Sequence, residues 1–162
     1  MGMASALLIA VLAAAAPLFA QGSETWLGLA PCALCLWQRW PYWAAAGLAL
    51  IAAAVPGRGR VALLGLAGVA ALASGGIGAF HLGVEQGWWP SPLPGCAAPA
   101  ASVLGGSVEE MLRGMPAAPN KPCDVPAFLI PGLPLSMAAM NLIYGAGLGA
   151  LALILARRGA PA

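Results

Sequence analysis

Four stretches of the chain carry no charged side chain: Met1–Ala20, Trp40–Val55, Val61–Leu82 and Leu135–Ala156. All four are dense in Ala, Leu, Gly and Ile. A bilayer-crossing helix needs about 20 mostly apolar residues, so each stretch is expected to span. Trp40–Val55 is short on its own and reaches full length if its helix starts near Cys32. The expected spans are about 3–20, 36–55, 61–82 and 135–156. Pro56-Gly57-Arg58-Gly59-Arg60 reads as a tight turn between the second and third. Segments 21–31 and 83–134 read as loops; the second is rich in Pro and Gly, holds most of the acidic residues and cannot span. The class that follows is all-α: one integral membrane domain, residues 1–162, built as a four-helix transmembrane bundle with a long outer loop. Val108, Met111, Leu112 and Met115 recur at helical spacing inside that loop. They predict a short amphipathic helix, lying on the membrane surface or packed within the loop.

Composition narrows the function classes. Only 7% of the 162 residues are charged, against about 25% in a soluble domain. Hydrophobic residues are 61% and the mean hydropathy is +0.87. Twelve charged side chains, 7 basic and 5 acidic, cannot cover the surface of a soluble enzyme of this length. Disorder needs the opposite composition, and seven scattered basic residues make no face for nucleic acid. The first span has a second reading as a cleavable leader ending in Ala16–Ala20. The basic region such a leader carries is missing, and the segment is expected to stay as a span.

The placement of charge gives an orientation. Arg58 and Arg60 lie in the tight turn, Arg157 and Arg158 follow the last span, and no acidic residue accompanies them. The other side holds Arg39, Arg113 and Lys121 with Glu24, Glu85, Glu109, Glu110 and Asp124. Basic residues in short loops stay in the cytoplasm. Both termini and the Arg58/Arg60 turn are therefore expected there, with the other loops outside. All 6 tryptophans, Trp26, Trp37, Trp40, Trp43, Trp88 and Trp89, fall on or near the outer side. That bias fits an interfacial belt and also a ring-lined outer site. Gly145/Gly149 and Ser74/Gly78 are small-xxx-small pairs that let helices approach closely.

The 4 cysteines, Cys32, Cys35, Cys96 and Cys123, all fall on the expected outer side, where an oxidising compartment permits disulfides. Spacing alone leaves all three pairings open. Cys32 and Cys35 form a C-x-x-C at a helix start, with Pro31 before them. On one continuous helix, Cys35 lies roughly 60° from Cys32 and Arg39 roughly 40° from Cys35, so all three share one face. A cation near a thiol at a helix N-terminus favours the reactive thiolate. A short C-x-x-C loop is a poor staple, which favours redox activity for this pair. The competing readings are inert structural disulfides and a four-thiolate zinc site; an oxidising outer face disfavours the zinc site, and no metal is expected.

Pro-Cys-Ala-Leu-Cys-Leu-Trp-Gln-Arg at 31–39 resembles the signature of the bacterial DsbB family. The order of parts is similar too: span, C-x-x-C, span, basic turn, span, long loop with two cysteines, span. The run from His81 through Trp88-Trp89-Pro90 to Cys96, Lys121-Pro-Cys-Asp, and the Ser136…Asn141 stretch also resemble the family. Phe128 departs from it, standing where the family often has Trp, and Pro126 bears on how that segment docks. The resemblance implies a quinone-dependent protein-disulfide oxidoreductase of the bacterial inner membrane. It would re-oxidise a periplasmic DsbA-like thiol oxidase and pass electrons to ubiquinone or menaquinone. Cys96 would form the mixed disulfide with the partner, Cys123 would be its mate, and Cys32 would exchange with that pair. Cys35 would be the thiolate that reduces the quinone. Arg39 would hold the quinone ring, with Gln38 and His81 as further cofactor contacts; His81 also has a purely structural reading. Vitamin-K-epoxide-reductase-like enzymes are a second candidate, but their C-x-x-C follows the loop cysteines, whereas here it precedes them. A non-enzymatic membrane scaffold or transporter with structural disulfides is the third.

Overall fold

The structure, a computed structural model, describes residues 2–93, 121–130 and 132–159. Among these residues it is all-helical: α1 (Met3–Leu27), α2 (Ala33–Trp37), α3 (Arg39–Ala54), α4 (Arg58–Glu85) and α5 (Met137–Arg158), with one isolated bridge between Phe128 and Ser136. The helical membrane bundle expected from the sequence is the fold found. Helices α1, α4 and α5 are long and apolar enough to cross a membrane. The expected amphipathic helix around Val108–Met115, and Cys96, lie outside the described residues.

Two helices differ from the pattern-based expectation. Helix α1 runs past Ala20 to Leu27, through residues expected as loop. Its polar end stays helical because the Ser23 and Thr25 hydroxyls donate back to the carbonyls of Ala20 and Gln21, both at 2.7 Å. It stops at Gly28, whose φ of +65° suits glycine. The expected single helix from Cys32 is instead α2 and α3, parted at Gln38. Pro41 is the physical reason. It has no N–H to give the Trp37 carbonyl, and its ring crowds that carbonyl. Helix α3 keeps 16 residues, about 24 Å of helix, short of the roughly 30 Å hydrocarbon core.

Helix α3 packs between α1 and α4, and α4 packs along α5. The core is mostly alanine, including Ala6, Ala13, Ala45, Ala49, Ala67 and Ala152, with Ile9, Leu64 and Leu148 as larger members. Small side chains let backbones meet. A Cβ on Gly145 would fall 2.7 Å from the Gly75 nitrogen and 2.9 Å from the Ala71 oxygen. Polar links cross the bundle between α3, α4 and α5. Ser74 donates to the Gln38 carbonyl at 2.7 Å, Asn141 donates to the Ser74 carbonyl at 3.0 Å, and Tyr42 donates to Asn141 Oδ1 at 2.9 Å. At the turn, Arg60 Nε donates to the carbonyls of Ala52 and Val55, at 3.1 and 3.2 Å, closing the end of α3.

Gly145→Val should therefore separate α4 from α5 and destabilise the protein by about 1–3 kcal/mol. Gly147→Ala, on the same helix with open space around it, should leave stability unchanged. Thermal unfolding of both variants in detergent checks this; equal melting temperatures would contradict the close approach.

Candidate thiol–disulfide site

Cys32 is the N-cap of α2 in an extended conformation, and its Sγ accepts a hydrogen bond from the Cys35 backbone N–H at 3.2 Å. One turn on, Cys35 Sγ lies 2.8 Å from the same sulfur, and their opposite pKa shifts place the shared proton on Cys35. Both are free thiols, Cys32 buried and Cys35 half-buried. Cys123 is fully buried and disulfide-bonded. It packs with Cys32, Leu34 and Val84 in a small cluster of its own.

His81, near the end of α4, sits where these sulfurs meet. Its Nδ1 lies 2.9 Å from Gln38 Nε2. The Gln38 amide donates there, which assigns the ring proton to Nε2. The Nε2–H then faces the Cys123 carbonyl at 3.2 Å and Cys32 Sγ at 3.6 Å. Glu85, one turn on, has an oxygen 3.9 Å from Nε2, and accepts from Ser136 Oγ, the N-cap of α5, at 2.5 Å. Cys32 Sγ, Cys123 Sγ and a His81 nitrogen all lie within 4.8 Å of one another. Such a trio has metal-ligand spacing, but a cysteine ligates as thiolate and Cys123 is committed to a disulfide.

The sulfurs at the outer end of α2 are electrostatically unequal. The Cys35 thiol donating to Cys32 lowers the Cys32 pKa to about 5; burial opposes this and the His81 contact adds to it. Cys35 is driven the other way, because its proton is held by the Cys32 sulfur and its own burial disfavours charge. The anion in this redox state is therefore on Cys32 and the proton on Cys35.

Arg39 opens α3 and pairs through Nη2 with Glu24 on α1. Among the described residues its buried Nε has no hydrogen-bond partner. Arg39 and Cys35 both line a cavity of about 390 Å³ whose walls are largely apolar, among them Ala16, Pro17, Ala20, Met140 and Tyr144. Cys32, Gln38 and His81 line it too. The break at Gln38 thus leaves every described expected site residue except Cys123 on this cavity, and Cys123 is reached from it through Cys32 and His81. Glu24 and Glu85 were missed by sequence reading. A buried arginine needing a counter-charge could have pointed to Glu24, the single acidic residue before it in the chain, and the i,i+4 spacing of His81 and Glu85 was a second available signal.

A dithiol with one activated sulfur, a disulfide against it and a buried cation beyond it, on a bundle of membrane-length helices, define a membrane thiol–disulfide oxidoreductase. The family model for disulfide bond formation protein DsbB matches residues 3–155, and the chain belongs to that family. No curated protein and no solved structure gave a match.

With the pair reduced, Cys35→Ala should raise the Cys32 pKa from about 5 towards the ordinary thiol value, about 8.5. Below the shifted value the sulfur is protonated and inert. The alkylation rate of Cys32 should therefore plateau by about pH 6 in the parent protein, and should still be climbing at about pH 8 in the variant. Superimposable pH–rate curves would remove the Cys35 donor from the account.

Proposed function

We propose that this chain re-oxidises a periplasmic DsbA-like thiol oxidase and passes the electrons to a membrane quinone, ubiquinone or menaquinone. The observation that carries this reading is the largely apolar cavity of about 390 Å³ that Cys35 and Arg39 both line, the Arg39 Nε having no partner among the described residues. A greasy ring with a polar oxygen fits that chemistry. The apolar walls would take the ring's faces and Arg39 its oxygen. Gln38 and His81 line the same space. When bound, a quinone accepts two electrons and two protons.

The protein's own steps are those that the family resemblance implies, and the placement of Cys32, Cys35 and Cys123 supports them. A partner thiolate opens the loop disulfide at Cys96, which leaves Cys123 reduced. The Cys123 thiolate then attacks Cys32 Sγ of an oxidised Cys32–Cys35 pair. The Cys32–Cys123 bond forms, the Cys32–Cys35 bond breaks, and the electron pair leaves on Cys35. With Cys32 now bonded elsewhere, Cys35 no longer donates to a neighbouring anion. It becomes the reactive sulfur, on the cavity that Arg39 also lines, and a guanidinium beside that space would stabilise negative charge there. The distribution of arginine supports an inner-membrane orientation with both termini cytoplasmic and the four cysteines periplasmic.

Membranes carrying the protein should oxidise a reduced DsbA-like protein only with quinone present, and Cys35→Ser should abolish that turnover. Arg39→Lys, which keeps a charge for Glu24 but lacks Nε, should raise the quinone KM by about tenfold or more, the scale of one hydrogen bond from a charged group. Quinone-independent turnover, or an unchanged KM, would sink the assignment.

A further inference from the structure

Both nitrogens of His81 are already committed. Nδ1 takes the Gln38 amide at 2.9 Å, and Nε2 faces the Cys123 carbonyl at 3.2 Å and Cys32 Sγ at 3.6 Å. The ring is also buried, 3% exposed. So although His81 borders the cavity, its polar edge is directed at sulfur chemistry. From this geometry we infer that His81 is a catalytic residue of the exchange between the two cysteine pairs, donating Nε2–H to Cys32 Sγ as that sulfur leaves Cys123. The inference rests on the redox reading above and assigns a separate step within it.

A thiolate, which the family resemblance makes Cys96, attacks Cys123 Sγ of the Cys32–Cys123 disulfide. A new disulfide forms at Cys123, the Cys32–Cys123 bond breaks, and its electron pair leaves on Cys32 Sγ. Cys35 keeps one proton and the other thiol proton passes to water. The outcome is the redox state found in the structure: Cys32 and Cys35 free, Cys123 disulfide-bonded. A sulfur leaves faster when its anion is stabilised, and the Cys32 anion has two side-chain donors, the Cys35 thiol and His81 Nε2–H. Gln38 is a positioning residue for His81, because donation to Nδ1 keeps the proton on Nε2. The remaining charged groups near the ring are Glu85, 3.9 Å from Nε2, and Arg39 and Lys121 on the cavity wall.

The test is a single turnover without quinone. Reduced DsbA-like protein is mixed with fully oxidised, quinone-free protein, and the appearance of alkylatable Cys32 is followed by rapid quench. His81→Leu should slow it about tenfold or more, the scale of one charge-assisted hydrogen bond. His81→Gln keeps an N–H donor and should restore the single-turnover rate to within about threefold. If His81→Leu does not fold, His81→Asn, too short to reach Cys32, replaces it. An unchanged exchange rate in the Leu or Asn variant, or a Gln variant as slow as either, would overturn the inference. Because quinone is left out, failure of the quinone assignment would appear in its own assay and leave this one readable.

Discussion

The site depends on Gln38. In a bilayer every buried polar group needs a partner from the protein itself, and Gln38 satisfies this twice. Its carbonyl takes the Ser74 hydroxyl and its side chain takes His81 Nδ1. One residue at a helix break thus ties α2 and α3 to two positions, two turns apart, on α4. Ser74 is tied in turn to Asn141 of α5 and, through Asn141, to Tyr42 of α3. The chain of bonds runs from the bundle's packing to the sulfurs, and it fixes the direction of the His81 ring.

Close packing makes those bonds possible. Gly145 on α5 has no room for a Cβ against the Gly75 backbone of α4, and a Cβ on Gly78 would lie 3.0 Å from the Leu142 nitrogen. That approach brings Ser136, at the start of α5, within reach of Glu85, at the end of α4. The segment carrying Cys123 is joined to the same corner, since Met137 N–H donates to the Ala127 carbonyl at 2.8 Å. Small residues in the middle of two helices therefore decide where a loop cysteine sits at their end.

Much of this was legible in the sequence. The uncharged stretches give the all-helical membrane class, and the C-x-x-C with Arg39 gives the redox pair and its cation. Other features needed three dimensions. Pro41 was readable as a break, but the apolar run around it conceals the interruption, and hydropathy does not register a missing N–H. Helix α1 was cut short in the sequence reading because Gln21, Ser23 and Thr25 look like loop; their hydroxyl bonds to preceding carbonyls appear only once the helix is built. Glu24 and Glu85 look like outer charges in the sequence; Arg39 and the i,i+4 spacing from His81 hint at them, but only the folded bundle draws them inward, to Arg39 and Ser136 respectively.

The scarcity of charge has a chemical consequence. With few fixed charges nearby, each donor beside a sulfur counts for more in the low-dielectric surroundings. The two cysteines use this asymmetrically. Cys32 lies between the Cys35 thiol and His81, against Cys123. Cys35 lies on the cavity shared with Arg39. An anion placed on Cys32 is stabilised on the disulfide side, and one placed on Cys35 adjoins the cavity side. Which sulfur bears the charge depends only on which is bonded elsewhere, since Cys35 is held as a thiol by donating to a free Cys32 and loses that acceptor once Cys32 is in a disulfide. A single S–S bond can thus change which face of the site is reactive with no helix moving, and the rigid alanine and glycine core is compatible with that economy of motion.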